Sequence, residues 1–280
     1  MFNIVEREEL NSTVTKLVVH APLIAKKAKA GQFVIIRSHE LGERIPLTIA
    51  DYNRKVGTVS IIFQVVGKST KLLNCLQVGD KILDFVGPLG VPSHIEGIKR
   101  VCVIGGGVGC AIAYPTAKAL YDNGAEVSVI SGFRNKDLVI LENEFKAVSK
   151  HMYMMSDDGS VGEKGLVTNK LEALLLAGEH FDEVIAIGPL IMMKSVCAVT
   201  KKYDVKTVVS MNPIMIDGTG MCGCCRLSVG GEMKFACVDG PDFDGHLVDF
   251  DEAISRSKQY MEFETRARDE SCNLFDKEVA

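Results

Sequence analysis

The stretch Arg100–Cys110, RVCVIGGGVGC, decides the fold, because an apolar run passes directly into a run of glycines. The apolar part predicts a buried β-strand, and the residues that follow, CAIAYPTAKALYDNG, predict a helix closed by a glycine. Backbone N–H groups at the start of such a helix attract a pyrophosphate, which approaches closely where Cβ atoms are missing. The three glycine places of the dinucleotide fingerprint fall on Gly105, Gly107 and Cys110, so the match is imperfect and a tight structural turn is the alternative.

Beyond this motif, strands and helices alternate with short connections. Strand-like and helix-like runs follow each other in the order AEVSVISG, ILENEFKAVSK, HMYMMSDD, KGLVTNKLEALLLAG, FDEVIAIG, IMMKSVCAVTKKY and KTVVSM. Such alternation is typical of a parallel α/β sheet with covering helices. We therefore expect a nucleotide-binding domain over residues 98–210.

Candidate nucleotide contacts lie just past the strand ends. The strand after the glycine motif ends in SGFRNKDL, without the acidic residue that usually takes the ribose hydroxyls of NAD, so the choice between NAD and NADP stays open. Two later loops, SDDGSVGEKG and IGPLIMMKS, lie at the edge where open α/β sheets bind ligands, with ordinary loop structure as the alternative. The candidate nucleotide-binding residues are Gly105, Gly106, Gly107, Gly109, Arg134, Asp157, Gly188 and Pro189.

Residues 1–97 have a different sequence pattern, in which strand-like runs follow one another. Their β-branched runs are VTKLVVHAP, GQFVIIRSH, RIPLTIADY, GTVSIIFQVV and GDKILDFVGP, separated by Gly, Asn and Asp turn signals, and only STKLLNCLQ reads as a short helix. The pattern predicts a small antiparallel barrel or sandwich. A third, Cys-rich part covers residues 211–280 and ends in the polar helical stretch DEAISRSKQYMEFETRARDE.

Three stretches of the first part, AGQFVIIR, ERIPLTIAD and VVGKSTKLL, are candidates for a flavin site. Arg44 can neutralise a diphosphate, while Gly67 with Ser69 and Thr70 at a helix start offers N–H and hydroxyl groups to it. Each stretch taken singly is equally compatible with a structural role. Their order, followed by GPLG and a nucleotide-type domain, favours the flavin.

Composition and charge narrow the class of protein. The net charge is −4 over 280 residues, so a nucleic acid is not an expected partner. No basic and apolar leader is present, and the longest uncharged stretch, Val101–Ala117, is shorter than the roughly 20 apolar residues of a membrane span. We expect a soluble cytoplasmic protein.

The chain has nine cysteines, an odd number that indicates reduced thiols rather than a disulfide scaffold. Four lie within sixteen residues of the segment IDGTGMCGCCRLSVGGEMKFACVDG, namely Cys222, Cys224, Cys225 and Cys237. This density predicts a metal or redox site, and a zinc site of four thiolates or a redox-active disulfide within CGCC are among the alternatives. The other five are scattered, four of them in apolar or helical contexts where Cys acts as a small hydrophobe. They are Cys75, Cys102, Cys110, Cys197 and Cys272.

The stretches GQF, RIPLT, VGKST, GPLG, GGGVG, DDGSVGEKG and GPLIMMK, within residues 31–194, resemble the ferredoxin reductase superfamily. The branch most similar is that of dihydroorotate dehydrogenase electron-transfer subunits and sulfide dehydrogenase-like proteins. The resemblance implies a flavin-binding barrel followed by a domain for NAD(H). It implies FAD held by Arg44, Pro46, Leu47 and Thr48, with Thr48 near the flavin N5 and with Gly67, Ser69 and Thr70 near the diphosphate.

This chain departs from the superfamily pattern at three places. Leu47 stands where an aromatic residue often stacks, and Arg44 precedes Thr48 by four residues rather than three. Ile187 replaces the Cys that often precedes Gly-Pro, so a thiol is not expected to assist hydride transfer there.

The same resemblance implies a [2Fe-2S] cluster at the Cys-rich segment. Laid on this sequence, the ligand spacing of the electron-transfer subunits falls on Asp217, Cys222, Cys225 and Cys237, with Cys224 left spare. An aspartate in the first place resembles the small subunits of NADH-dependent reduced ferredoxin:NADP oxidoreductases. The alternative is that Cys224 supplies the fourth ligand.

The expected function is an electron relay between NAD(H), FAD and the cluster, with no acid–base catalyst; His246 is expected to be a surface residue. The resemblance implies a larger flavin and iron–sulfur partner subunit, and a bifurcating complex that couples to ferredoxin and NADP(H). One alternative is the electron-transfer subunit of an NAD-dependent dihydroorotate dehydrogenase or a sulfide dehydrogenase. Another is a non-catalytic nucleotide-sensing or zinc-stabilised interaction subunit.

Overall fold

The computed structural model describes residues 1–278, and the side chains of residues 1–269. The first seven strands are β1 (Phe2–Asn11), β2 (Val14–His20), β3 (Phe33–Arg37), β4 (Ile45–Asn53), β5 (Thr58–Gln64), β6 (Lys81–Ile82) and β7 (Asp84–Leu89). They form one sheet in the order β6-β1-β2-β5-β4-β3-β7, with every neighbouring pair antiparallel. This near-closed sheet confirms the predicted barrel.

Side chains that alternate along the strands fill the barrel, because successive residues of a strand face opposite sides. Leu17 on β2 and Ile61 on β5 are fully buried in this way. The strand β1, FNIVEREELN, was not among the predicted strands, because most of its residues are polar and only Ile4 is buried.

Two short helices accompany the barrel, α1 (Pro22–Lys27) and α2 (Lys68–Cys75). The prediction of α2 as the single helix of this part is therefore wrong. Six residues are too few to show a helical period, and the start of α1 is visible only as a proline at its first position.

The second sheet contains β8 (Arg100–Gly106), β9 (Glu126–Phe133), β10 (His151–Ser156), β11 (Glu163–Lys164), β12 (Glu183–Ile187), β13 (Thr207–Ser210) and β16 (Asp242–Asp244). Its order is β11-β10-β9-β8-β12-β13-β16, and all pairs are parallel except β13 with β16. The connecting helices are α3 (Gly109–Asp122), α4 (Glu142–Ala147), α5 (Val167–Leu176) and α6 (Leu190–Lys202). The α/β prediction is confirmed, although α4 is shorter than the predicted run.

The Cys-rich part begins with an extended loop after β13 and continues as a ribbon of β14 (Arg226–Val229) and β15 (Glu232–Phe235). The predicted polar helical stretch is two helices, α7 (Phe250–Ser257) and α8 (Met261–Glu278). Helix α8 reaches back to α2 of the barrel. In the part of the chain that the structure describes, no helix is long and apolar enough to cross a membrane.

Strand β16 ties the Cys-rich part to the rest of the molecule. Its Asp242 accepts a 2.5 Å hydrogen bond from Ser93, in the connection between the two sheets, and burial raises the pKa of this carboxyl while hydrogen bonds from Ser93 and Ser210 oppose the rise. One buried core also combines Ile35 of the barrel, Ile104 of the second sheet and Cys225. The division into 1–97, 98–210 and 211–280 stays a prediction, and β16 crosses its last boundary.

Candidate functional site

The glycine turn after β8 packs directly against the turn after β12. A Cβ atom on Gly109 would lie 2.5 Å from the carbonyl oxygen of Ile187, and one on Gly106 would meet the sulfur of Met192. Gly107 has a φ of +56° and open space at its Cβ position. Two of these glycines therefore permit the close approach of the turns, while Gly107 leaves the turn open toward the cavity above it.

A cavity of about 770 Å³ lies over this turn. It is lined by seven of the eight candidate nucleotide residues, all except Gly105, whose Cβ position faces Cys110. Burial raises the pKa of the Cys110 thiol to about 12, so this Cys is a neutral packing residue below the turn. The seven residues are Gly106, Gly107, Gly109, Arg134, Asp157, Gly188 and Pro189.

The far wall of the cavity comes from the barrel. Asn11 and Thr13 at the β1–β2 turn and Gln64 at the end of β5 line it, and sequence reasoning missed all three. The cavity thus lies between the two sheets. Its volume and its two walls fit a ligand of dinucleotide size.

The ends of β9 and β10 are joined by backbone hydrogen bonds next to the cavity. The N–H groups of Asp157 and Asp158 donate to the carbonyl oxygens of Phe133 and Arg134, at 3.1 and 3.3 Å. A hydrogen bond from the Ser160 hydroxyl, with a second from its N–H, holds the pKa of Asp158 below its usual range. The β10 exit loop therefore carries negative charge beside Arg134.

The flavin candidates lie on β4 and at the start of α2. Thr48 pairs with Phe33 of β3, and the Cβ position of Gly67 has no atom within 4 Å. Ser69 donates a 2.6 Å hydrogen bond to Glu43, and Thr70 accepts one of 3.0 Å from the N–H of Gly67. An open glycine next to a helix start is the cradle that a diphosphate needs, so these residues fit the group.

Arg44 contacts the Cys-rich segment. Its Nε donates a 2.7 Å hydrogen bond to the carbonyl oxygen of Ile216, and its Nη1 lies 3.9 Å from Asp84 Oδ2. Arg37 donates a 2.7 Å hydrogen bond to the same Asp84 oxygen. The guanidinium of Arg44 is thus positioned between the barrel and the loop before Cys222.

The loop from Ile216 to Cys224 has little regular structure, and its glycines determine the path of its backbone. Gly218, Gly220 and Gly223 have φ of +84°, +84° and +67°, which favours glycine. A Cβ atom on Gly218 would lie 2.8 Å from side chains of Ile35 and Leu89. The loop therefore rests directly on the barrel.

Two cysteines of this segment have pKa values shifted in opposite directions. Hydrogen bonds from the backbone of Cys224, and also of Asp217 and Ile216, lower the pKa of Cys222. Burial raises the pKa of Cys237 to about 12, with Cys225 in hydrogen-bond contact. N–H groups aimed at sulfur stabilise the thiolate, the form that binds a metal.

Asp217 is an ionised carboxylate at the head of the same loop. It accepts hydrogen bonds from the N–H of Thr219 at 3.0 Å, from the Thr219 hydroxyl and from the N–H of Met221 at 3.3 Å. The Thr219 hydroxyl is the main cause of its lowered pKa. Cys224 instead donates its S–H to the Cys222 carbonyl oxygen at 3.9 Å.

Among the described residues, no three of His, Cys, Asp and Glu lie close enough together to hold one metal ion. A binuclear cluster takes its protein ligands in pairs, and Cys225 with Cys237 forms one such pair. Three thiols and a carboxylate are the donor set that iron accepts. The residues present therefore fit a [2Fe-2S] cluster.

Comparison with known proteins agrees with this geometry. Residues 212–249 match the iron–sulfur cluster binding domain of dihydroorotate dehydrogenase B. A dihydroorotate dehydrogenase B (NAD(+)) electron transfer subunit homolog of Thermotoga maritima is 48% identical, over 93% of this chain and 92% of its own length. The electron transfer subunit of Geobacillus thermodenitrificans is 33% identical, over 86% of this chain and 94% of its own length.

The chain belongs to the dihydroorotate dehydrogenase B electron-transfer subunit family.

Two solved structures extend the comparison. A chain of the NADH-dependent reduced ferredoxin-NADP oxidoreductase, described for flavin-based electron bifurcation, is 45% identical with a TM-score of 0.92, covering 97% of this chain and 98% of that chain. The ferredoxin reductase of carbazole 1,9a-dioxygenase, 18% identical with a TM-score of 0.63 over 73% and 65% of the chains, shows the fold alone. The resemblance is confirmed, as is the cofactor prediction: the iron–sulfur domain matches a family model, and the fold is that of FAD- and NAD-binding reductases.

In this electron-transfer subunit, His246, which was predicted to be a surface residue, also makes a part-buried contact. His246 is half-buried, and its Nε2 lies 2.9 Å from the hydroxyl oxygen of Thr200, to which Thr207 also donates a hydrogen bond of 2.6 Å. The pairing of β16 with β13 brings His246 back against α6, which no local pattern shows.

The scattered cysteines divide as buried and exposed. Cys102, Cys110 and Cys197 are buried, and burial raises the pKa of each thiol, whereas Cys75 is exposed at the end of α2. Cys272 lies outside the residues whose side chains are described.

Proposed function

We propose that this chain transfers electrons between NAD(H), FAD and a [2Fe-2S] cluster, as the small subunit of an NADH-dependent ferredoxin:NADP oxidoreductase that bifurcates electrons in the cytoplasm. The observation that supports it most is that the Cys222 loop rests on the barrel, with the Asp217 carboxylate at its head. An aspartate in the first ligand place resembles the small subunits of this kind of oxidoreductase.

The residues have distinct roles in this proposal. The turn at Gly107 and the facing Gly188–Pro189 turn bind the dinucleotide diphosphate and orient the nicotinamide toward the barrel. The Asp157 carboxylate takes the adenosine ribose hydroxyls and repels a 2′-phosphate, so NAD(H) is preferred. Thr48 lies at the flavin N5 edge.

When bound, FAD and the cluster convert a two-electron hydride transfer into one-electron steps. Asp217, Cys222, Cys225 and Cys237 hold the cluster, and Cys224 is the spare thiol. Pro46 and Leu47 support the flavin ring. A larger flavin and iron–sulfur subunit receives the electrons and connects the chain to ferredoxin and NADP(H).

The test is purification of the chain with its partner under exclusion of oxygen. Flavin, iron and acid-labile sulfide are measured in the same sample, and NADH is offered with an artificial acceptor. The proposal predicts all three components and bleaching of the flavin by NADH. A sample without flavin or iron that is inert to NADH would instead indicate a non-catalytic interaction subunit.

A second candidate is the electron-transfer subunit of an NAD-dependent dihydroorotate dehydrogenase, which is favoured by the names of relatives 31–33% identical to this chain. The copurified partner distinguishes the two. Oxidation of dihydroorotate by that complex would establish the second candidate and exclude the first, whereas NADP(H) and ferredoxin turnover would do the reverse.

A further inference from the structure

The connection between the two large sheets, residues 90–99, lies between the barrel and the Cys-rich part. The N–H of Val91 donates a 2.7 Å hydrogen bond to the carbonyl oxygen of Gly240 in the Cys-rich part. The N–H of Ser93 donates one of 3.0 Å to the carbonyl oxygen of Ala30 in the barrel. The connection is therefore held by two different parts of the molecule within three residues.

The hydroxyl of Ser93 joins these parts at one point. It donates a 2.5 Å hydrogen bond to Asp242 of β16 and lies 3.2 Å from the hydroxyl oxygen of Thr116 on α3. Because the single hydroxyl proton of Ser93 goes to the carboxyl group, the Thr116 hydroxyl is the donor of the second bond. A Cβ atom on Gly31 of the barrel would collide with the Ser93 oxygen, so glycine leaves the space that this hydroxyl occupies.

The backbone of β16 holds one wall of the cavity. Asp242 is the register partner of Ser210 on β13, and the N–H of Met211 donates a 2.8 Å hydrogen bond to the carbonyl oxygen of Pro241. Ser210 and Asn212 line the cavity. Asp242 thus joins this wall, through its strand, to the connection between the sheets, through its side chain.

The opposite wall comes from the barrel, so the width of the cavity depends on how the barrel is oriented on the second sheet. Apolar contact joins the two, since Val14 and Ile62 of the barrel share a core with Ala113 of α3. Apolar packing is non-directional, whereas a hydrogen bond restricts both a distance and an angle. The 2.5 Å bond from Ser93 to Asp242 has the length of a charge-assisted bond, the strong kind.

We propose that Ser93 and Asp242 are positioning residues that fix the barrel relative to the second sheet, and so set how a nucleotide in the cavity faces the flavin site. This inference rests on the proposed function, since it takes the cavity to bind NAD(H) and the barrel to bind FAD. It adds that a residue of the Cys-rich part controls the geometry of hydride transfer. The turn at residues 105–109 is fixed by its own packing on the turn after β12, so the pair is expected to affect the rate of hydride transfer more than nucleotide affinity.

The experiment is stopped-flow reduction of the flavin by NADH in the reconstituted holoprotein. At saturating NADH, Ser93→Ala and Asp242→Ala are each expected to reduce the flavin about tenfold more slowly, because a misplacement of about 1 Å can cost up to about 100-fold in rate. The dissociation constant of NADH is expected to stay within about threefold of wild type. The double variant is expected to be no slower than Asp242→Ala, since both substitutions remove the same hydrogen bond.

A conservative variant and a second readout separate positioning from loss of structure. Asp242→Asn keeps an oxygen that can accept the Ser93 hydrogen bond, and it is expected to recover part of the rate. In the chain free of FAD and iron, backbone hydrogen exchange at residues 90–93 is expected to be faster in Ser93→Ala and Asp242→Ala than in wild type. This readout does not depend on cofactor loading or on activity.

Thr15→Val is the matched control. Thr15 is buried in the barrel, and its hydroxyl donates a 2.6 Å hydrogen bond to Asn74 of α2. The variant therefore also loses one short hydrogen bond, but none that joins the barrel to another part. It is expected to lower the unfolding temperature as Ser93→Ala does and to keep the rate of flavin reduction within about twofold of wild type.

Three results would overturn the inference. The first is an unchanged rate in both Ser93→Ala and Asp242→Ala, and the second is equal slowing in Thr15→Val. The third is an unchanged rate at saturating NADH with a raised dissociation constant, which would assign the pair to nucleotide binding. If the alanine variants do not fold, a wild-type rate and wild-type hydrogen exchange in both Asp242→Asn and Ser93→Thr would also contradict it. A wild-type holoprotein whose flavin is not reduced by NADH would instead contradict the proposed function itself, so the two failures are distinguishable.

Discussion

Two glycine-rich turns of this molecule, which we propose to bind different groups, are built in different ways. The turn at residues 105–109 joins β8 to α3, and its glycines remove Cβ atoms so that two regular elements approach closely. The loop at residues 216–224 joins no regular elements directly, and its glycines rotate peptide units into left-handed conformations. The first turn is fixed by its scaffold. The second depends on contacts with the barrel and on the group that its cysteines bind.

The largest expected effect concerns the loop. Cys237→Ser is expected to abolish iron binding, because a buried thiolate ligand is lost, while NADH affinity stays within about twofold of wild type, since the turn at residues 105–109 is fixed by its own packing on the turn after β12. Iron analysis and NADH titration of the same sample check this. Cys224→Ser is the control and is expected to retain iron. Loss of NADH binding in Cys237→Ser would contradict the view that the turn at residues 105–109 is fixed independently of the cysteine loop.

Substitutions of Asp217, near the start of the loop, test the ligand assignment. Asp217→Cys is expected to keep the cluster with a changed EPR signal, because thiolate is a softer donor than carboxylate, and Asp217→Ala is expected to lose most of the iron. EPR spectra and iron content measure both. If Asp217→Ala kept an unchanged spectrum while Cys224→Ser lost it, Cys224 would be the fourth ligand.

Gly109→Ala tests the scaffolded turn. Its Cβ atom would lie 2.5 Å from the Ile187 carbonyl oxygen and 2.8 Å from Gly188 Cα, so the variant is expected to be destabilised by about 1–3 kcal/mol and to bind NADH more weakly. Thermal unfolding and NADH titration measure these effects. Gly124→Ala, at a helix end with open space, separates backbone strain from the clash. Equal losses of NADH affinity in both variants would contradict the packing explanation.

Gly218→Ala tests the equivalent feature of the loop, with a smaller effect. A φ of +84° and contacts of 2.8 Å to Ile35 and Leu89 side chains oppose a Cβ atom, at a cost of about 1–2 kcal/mol. Because flexible side chains can move, the protein is expected to fold and to release iron to a chelator faster. Gly231→Ala, with open space at a similar φ of +81°, is the control.

Asp157→Ala gives the smallest expected change. Removal of the carboxylate is expected to raise the preference for NADPH relative to NADH by about tenfold, which is about 1.4 kcal/mol. Steady-state reduction of an artificial acceptor with each nucleotide measures it. Asp158→Ala is the neighbouring control, and an equal change there would transfer the role to Asp158.

The sequence predicted those structural elements and candidate site residues that are encoded by the same short stretch of chain. The run around Gly105–Gly109 predicted the strand, the turn and the helix because all three are encoded by neighbours in sequence. It could not predict the cavity wall at Asn11 and Gln64, which the barrel topology alone brings to the nucleotide turn. It also placed Arg44 by its distance from Thr48, whereas the structure shows a contact 172 residues away.

The short strand β16 has a consequence for engineering. It covers β13, which would otherwise be an open edge of the second sheet, and its Asp242 is bonded to Ser93 in the connection between the sheets. A chain cut after Ser210 would expose that edge to pairing with other molecules and is expected to aggregate. The Cys-rich part is therefore not structurally independent of the second sheet. Its transfer to another reductase requires β16 and an edge strand with which β16 can pair.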